Sequence, residues 1–169
     1  MKKIICLLFS VFLSISFIAA QDAHFMSHPS LSPDGKVLVF SFEGDIWQAD
    51  MATGKAFRLT AMQGYETGAK FSPDGKWLAF TGTQFGNSDV FMIRAEGGNI
   101  KQMTFHSASD QIEGWTWDSS ELLVRSSREN SVSVYKIPVS GGNSLRIFDH
   151  YFNFIQNQEI YSLMIHGRV

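Results

Sequence analysis

This chain of 169 residues holds a single cysteine, Cys6, and that residue lies inside its one long apolar run. Lys2-Lys3 precede the run, serines alone interrupt it from Ile4 to Ile18, and Ala19-Ala20 close it ahead of the polar Gln21-Asp22. A basic start, an apolar core and a small-residue end describe a secretory signal peptide over residues 1–20, cut after Ala20. The rival, an uncleaved anchor helix, would want about 20 apolar residues, more than this core supplies. A lipoprotein leader would carry its cysteine at the end of the run, whereas Cys6 is near the beginning. The mature chain is therefore expected to lack any thiol, disulfide or cysteine-based metal site, and no stable membrane anchor remains after cleavage. The two-lysine leader reads as bacterial, which predicts a periplasmic or secreted protein.

Charge of one sign is missing too. Fourteen basic residues against 16 acidic ones give a formal net charge of −2, with both signs scattered. No basic stripe points to nucleic acid, and no acidic tail points to a charge-driven partner. The Gly-x-Ser-x-Gly elbow of α/β-type hydrolases is absent as well.

What is present is a repeat. Ser32-Pro33-Asp34-Gly35-Lys36 recurs 40 residues on as Ser72-Pro73-Asp74-Gly75-Lys76. Val37-Leu38-Val39-Phe40 answers to Trp77-Leu78-Ala79-Phe80, Asp45-Ile46-Trp47 to Asp89-Val90-Phe91, and Arg58-Leu59-Thr60 to Gln102-Met103-Thr104. A looser third copy runs through Thr116-Trp117-Asp118-Ser119-Ser120, Leu122-Leu123-Val124, Ser133-Val134-Tyr135 and Leu145-Arg146-Ile147. Repeats of roughly 40–45 residues, each with about four short strands, are the sign of β-propeller blades. The fold expected is all-β, with four-stranded blades at about 28–60, 65–104 and 110–148. Residues 21–27 form a mature N-terminal segment, and 149–169 form a partial fourth blade or a truncated tail. Phenylalanine, at 15 residues, supplies the bulk that stacked blades bury between them.

Each turn has a mechanism. Proline pre-sets φ for the second turn position, glycine takes the φ > 0 that follows, and aspartate bonds nearby amides. In the third copy Ser119-Ser120 replace Gly75-Lys76, so that turn is expected to be the weakest of the three. Pro138 falls in the third strand of its blade, where it is tolerable near the strand end. Three blades and a fraction do not readily close, since propellers use about four to eight. The chain is thus expected to be an incomplete propeller, part of a larger one. The alternatives are association of copies to complete a ring, or a piece that does not fold by itself.

The Ser-Pro-Asp-Gly-Lys turn, the apolar strand after it and the following Asp-Ile-Trp or Asp-Val-Phe resemble the WD40-like repeat called PD40. It occurs in TolB, in tricorn proteases and in propellers joined to prolyl-oligopeptidase-type hydrolases. Repeats that begin at His28-Pro29, directly after the leader, favour the tricorn type, because TolB-like proteins place an α/β domain first. The stretches Asn87 to Gly98, Met103-Thr104-Phe105-His106 and Gly114-Trp115-Thr116-Trp117-Asp118 are likewise similar to the opening blades of tricorn-type peptidases. The resemblance covers about residues 28–148. It implies a propeller that filters or docks peptides, followed in full-length relatives by a PDZ domain and an S41-class serine-protease domain. No catalytic residue carries over to this chain.

The residues themselves offer little chemistry. His106 with Asp110 or Asp118 and some serine could be drawn as a triad, but such combinations arise by chance, and Phe105-His106 reads as an inter-blade loop. His24 and His28 have metal-pair spacing yet flank Pro29 without a third ligand. Asp34 and Asp74 read as turn stabilisers, and Asp45 and Asp89 as bonding backbone or neighbouring blades. Gly97-Gly98 and Gly141-Gly142 precede strands, so they cradle no phosphate. Trp47, Trp77, Trp115 and Trp117 are expected between blades. No catalytic, metal or cofactor residue is assigned, and the ligand-binding residues are left open. The function expected is that of an exported, non-catalytic propeller that binds peptides or proteins as part of a tricorn-like protease. The alternative is a short TolB-like periplasmic adaptor in an envelope complex.

Overall fold

A computed structural model describes residues 25–129 and 132–148. The expected leader, His24 and the 149–169 segment lie outside the described residues. Three antiparallel sheets follow one another, each built from four strands laid side by side in chain order. The first holds β1 (Ser27–Leu31), β2 (Val37–Phe42), β3 (Asp45–Asp50) and β4 (Ala56–Arg58). The second holds β5 (Glu66–Phe71), β6 (Trp77–Gly82), β7 (Asp89–Arg94) and β8 (Lys101–Gln102). The third holds β9 (Asp110–Trp115), β10 (Glu121–Ser126), β11 (Ser133–Pro138) and β12 (Leu145–Phe148). There is no helix among the described residues. Each copy of the sequence repeat is one blade, and the architecture is an incomplete, all-β propeller.

The middle blade shows why the strands read as continuous apolar runs rather than alternating ones. Leu78, Phe80, Phe91 and Ile93 face the first blade and join Val39, Ile46 and Ala69 in one core cluster. Ala79, Val90 and Met92 face the other way and join Ile112, Trp115, Leu122, Val124 and Ile137 in a second. A sheet covered on both faces needs apolar residues at every position. Leu78 and Phe80 are fully buried, and each such side chain contributes about 1.5–3 kcal/mol by leaving water. Small residues set the spacing, since a Cβ at Gly82 would sit 2.9 Å from the Phe91 ring.

The first-to-second strand turns share one hydrogen-bond network. Ser32 Oγ donates to Asp34 Oδ1 at 2.7 Å and accepts from the Val37 amide at 2.9 Å. Asp34 Oδ1 also accepts from the Lys36 amide at 3.1 Å. Ser72, Asp74, Lys76 and Trp77 repeat this pattern, as do Thr116, Asp118, Ser120 and Glu121. The Ser32 and Thr116 hydroxyls hold the carboxyls of Asp34 and Asp118 below the usual carboxylate range. At Asp74 partial burial opposes the shift, but bonds from Ser72 and the Lys76 amide outweigh it. Turn stabilisation is what these aspartates do.

Gly35 and Gly75 take φ of +73° and +72°, and Ser119 is forced to +62° in the same slot. The strain expected of the third turn is therefore present, with a compensation that the sequence does not reveal. Ser119 Oγ accepts a hydrogen bond from the Asp74 amide at 3.1 Å, tying the second turn to the third. Pro138 is the last residue of β11, where its missing N–H does least harm.

The turns yield a stability prediction. Gly35→Ala meets no atom within 4 Å, so its cost is conformational alone, about 1 kcal/mol. Ser119→Ala should be less stable than Ser119→Gly by a similar amount, about 1 kcal/mol, because both lose the bond to Asp74 and only glycine relaxes at positive φ. Urea denaturation midpoints of the three variants check this. Equal midpoints for the two Ser119 variants would show that the turn is unstrained.

Candidate functional site: the inner-strand groove

Within each sheet β1, β5 and β9 have a partner on one edge only. Among the described residues their other edges carry no sheet pairing, and all three come together along one side of the blade stack. Each also has a break in register: between Ser27 and Ser30, between Thr67 and Lys70, and opposite Leu123 and Val124. Bulges re-aim side chains and interrupt pairing. The first two need positive φ, +52° at His28 and +68° at Gly68.

The bulges also join the blades. The Gly68 amide donates to Ser41 Oγ at 3.2 Å, and the Ile112 amide donates to Thr81 Oγ1 at 3.1 Å. Ser41 and Thr81 are repeat equivalents, so one bond is made twice. The Glu66 amide donates to the Gly44 carbonyl and the Asp110 amide to the Ser88 carbonyl, each at 2.7 Å, again at equivalent positions. Trp115 Nε1 reaches back to the Lys70 carbonyl at 3.0 Å.

A groove of about 500 Å³ lies over these strands, with His28 from the first blade, Thr67 and Lys70 from the second, and Gln111, Glu113 and Arg125 from the third. Arg125 Nε donates to Glu113 Oε1 at 2.7 Å, and its Nη2 donates to Gln111. His28 Nδ1 lies 3.1 Å from Thr67 Oγ1. The lining mixes polar and apolar surface, and the shape is an open trough.

Two buried carboxylates stand where one blade hands over to the next. Glu66 accepts from the Thr60 hydroxyl and from the Met62 amide. Burial pushes its carboxyl above the ordinary range, the Thr60 bond opposes this, and the charge of Asp45 adds to it. Asp110, fully buried, accepts from Arg128 Nη2 at 2.8 Å, and that guanidinium lies 4.4 Å over the Tyr135 ring. Sequence reading missed Glu66 because nothing flanks it, and it met Asp110 only as a chance triad member. The available signal was position, since each is the first residue of the inner strand of a new blade.

The remaining singled-out residues fall as follows. Asp110 and Asp118 stand at opposite ends of β9, and His106 Nδ1 accepts from the Ala108 amide in the loop before it, so no triad assembles. His28 pairs with Ser27 and Thr67 hydroxyls. Among the described residues no group of three or more His, Cys, Asp or Glu could hold a metal. Asp45 and Asp89 differ from expectation: each holds the outer strand of its own blade, through Arg58 at 3.3 Å and Gln102 at 3.2 Å. The outer strands are short, and a side-chain tether compensates. Burial raises the Asp89 carboxyl above its usual range, with the Thr104 bond opposing and the Asp110 charge adding. Trp115 is buried between blades and Trp77 half-buried against the second core, under Arg94 at 4.6 Å. Trp47 is half-buried against Phe42. Trp117 is exposed, because it occupies the outward-pointing slot that Pro33 and Pro73 fill in the other turns.

Successive four-stranded blades stacked through apolar faces, with bulged inner strands around a common trough, define a β-propeller portion. Its family follows from sequence: a model of the tricorn protease N-terminal β-propeller domain matches residues 23–160. The chain belongs to that family. Tricorn protease homolog 1 of Streptomyces coelicolor is 32% identical over 114 residues, covering 65% of this chain and 11% of that protein. The putative Tricorn-like protease N-terminal subunit of Sulfurisphaera tokodaii is 29% identical over 143 residues, 78% of this chain and 72% of that one. Among solved structures, putative TolB from Agrobacterium tumefaciens superposes with a TM-score of 0.64 at 24% identity, over 75% of this chain and 49% of that one. The tricorn protease superposes at 0.65 and 20% identity, over 73% and 13%. Matches to two of the curated relatives span 11% and 44% of their lengths.

The junction carboxylates give two predictions. Glu66 binds its proton more tightly folded than unfolded, so its contribution is greatest below 4.5 and is lost as pH rises through the higher folded value. Glu66→Gln should therefore gain on the parent chain as pH is raised past 4.5, read from urea midpoints; a difference independent of pH overturns this. Arg128→Met strands the buried Asp110 carboxylate and should cost about 3–5 kcal/mol. Adding Asp110→Leu should restore most of that, which a double-mutant cycle measures.

Proposed function

We propose that this chain is an exported, non-catalytic propeller segment of a tricorn-like protease, and that it binds extended peptides along its inner strands. The observation that carries the reading is the trough itself. Three bulged inner strands line it with polar side chains, among them Thr67, Lys70 and Gln111, that can hydrogen-bond an extended peptide lying along them. The volume of about 500 Å³ falls within the roughly 300–1,000 Å³ typical of ligand sites. Proteolysis itself would belong to a C-terminal serine-protease domain of the S41 class, as the resemblance implies, and no residue here is assigned to it. Export to the periplasm rests on the leader pattern of residues 1–20.

A second reading, an envelope adaptor of TolB-like character, is favoured by a different feature. Phe85 and Phe105 are both exposed on loops outside the trough, and exposed aromatics of this kind suit a protein partner.

Hydrogen exchange on the whole chain separates the two. With short unstructured peptides, slowed exchange is expected in β1, β5 and β9 and unchanged exchange in β4, β8 and β12. Protection confined to the loops around Phe85 and Phe105, elicited by envelope proteins rather than peptides, would support the adaptor. No protection of the inner strands at any peptide concentration overturns the peptide reading.

A further inference from the structure

A separate cavity of about 270 Å³ opens at the turn end of the first blade junction. Pro33, Val37 and Phe71 give it an apolar lining, and Asp34, Asp74 and Gln48 a polar one. The two turns that carry the aspartates stand side by side, since a Cβ added at Gly75 would lie 3.6 Å from the Pro33 ring. Each carboxylate spends Oδ1 on its own turn. Among the described residues Oδ2 meets the ammonium of the lysine two residues on, at 3.5 Å for Lys36 and 3.3 Å for Lys76. Both lysines are largely exposed, and such surface pairs contribute little. Gln48 is the anomaly. Its Oε1 is buried and accepts no hydrogen bond among the described residues, whereas the same position in the next blade holds Met92, packed into the second core. A half-turn of the terminal amide, a soft rotation, brings that oxygen to the cavity that the side chain lines.

The second junction shows what the first lacks. There Trp77 stands for Val37, Trp115 for Phe71 and Ser119 for Gly75, and the Arg94 guanidinium lies 4.6 Å over the Trp77 ring. Arg94 pairs across its sheet with Trp77 as Asp50 pairs with Val37. Asp50 is committed to the Ala52 and Thr53 amides of its own turn. The first junction thus combines a smaller lining, an unsatisfied amide and two carboxylates, and it carries no guanidinium where the second supplies its own.

We propose that this cavity takes the guanidinium of an arginine side chain presented by a protein partner, held between Asp34 and Asp74 against Phe71 and capped by the Gln48 carbonyl. The site lies outside the trough and does not depend on peptide binding there. Arginine suits it for a geometric reason. A planar guanidinium donates from its edge in several directions while its faces accept apolar and aromatic contact. A compact ammonium would give up water to Pro33, Val37 and Phe71 with less returned. The volume of about 270 Å³ holds the end of one side chain, falling below the roughly 300–1,000 Å³ of sites for larger ligands.

The test uses the whole chain and three small probes, the N-acetyl methylamides of arginine, lysine and citrulline, the last a neutral analogue of nearly the same shape. Amide resonances are followed by NMR during titration. The arginine probe should move the Gln48 side-chain amide and the Gly75 backbone amide along one saturable curve. Lysine should bind about two- to fivefold more weakly, and citrulline should move neither signal. Gln48→Met installs the residue of the second blade, and Val37→Trp fills the space as Trp77 does. Each should abolish the response while the resonances of β9 to β11 stay in place, which shows that the variant is folded. Equal responses to arginine and citrulline, or to arginine and lysine, overturn the proposal. So does a response that never saturates, one that survives in either folded variant, or one confined to Thr67 and Gln111 in the trough.

Discussion

A four-stranded sheet with two apolar faces cannot hide either face by itself, and that constraint governs the rest of this chain. Leu78 and Phe80 point one way from the middle blade while Ala79 and Val90 point the other, into two separate cores. Stacking buries both faces, but apolar contact alone leaves adjacent sheets free to slide. The polar bonds at the junctions remove that freedom. Ser41 and Thr81 capture bulge amides of the following blade, and Gly44 and Ser88 capture the amides that open it. Hydrophobic burial supplies the driving force, and these directional bonds supply the angle and offset at which it is realised.

Fixing the blades this way leaves the inner edges exposed. A bulge amide spent on a neighbouring hydroxyl is unavailable to a ladder partner, so the strand bends where it approaches the common trough. The features that hold the blades together therefore also shape the groove. The junction carboxylates belong to the same economy of space. Glu66 and Asp110 are buried where the chain changes blade, and each is matched to donors there: a hydroxyl and an amide for the first, a guanidinium for the second. Burial of such groups is tolerable only when they are paired.

Much of this was legible in the residues. The 40-residue offset between Ser32 and Ser72 announces the blades, and the Pro-Asp-Gly turns announce where strands reverse. Local chemistry determines both, so a single sequence displays them. The groove was not legible. Its polar residues come from three blades, and none has the spacing or type that marks a site by itself. Asp45 and Asp89 show the same limit in a milder form. Their recurrence signals a structural task, but Arg58 and Gln102 lie 13 residues away, and the tether appears only when the outer strand folds back. Trp117 misled for the opposite reason. An aromatic in a repeat suggests a core position, yet register places it where proline otherwise stands.

The third blade departs from the other two at related positions. Ser119 stands where Gly35 and Gly75 turn, Arg125 where Ser41 and Thr81 accept a bulge amide, Ser133 where Asp45 and Asp89 hold the outer strand, and Phe148 where Thr60 and Thr104 cap Ile46 and Val90. Local contacts stand in for some of the repeated devices. Arg125 binds Gln111 and Glu113 within its own sheet, and Arg146, equivalent to Arg58, turns to Glu129. Ser133 Oγ, in place of a tethering carboxylate, is buried without a partner among the described residues. The change at Arg125 matters most. A sheet stacked on the forward face of this blade would meet a guanidinium where the two preceding junctions offer a hydroxyl, and its bulge amide would need another acceptor. The same substitution brings a guanidinium to the trough, so the position that ends the repeated junction bond is also the one that ties Gln111 and Glu113 together along the groove.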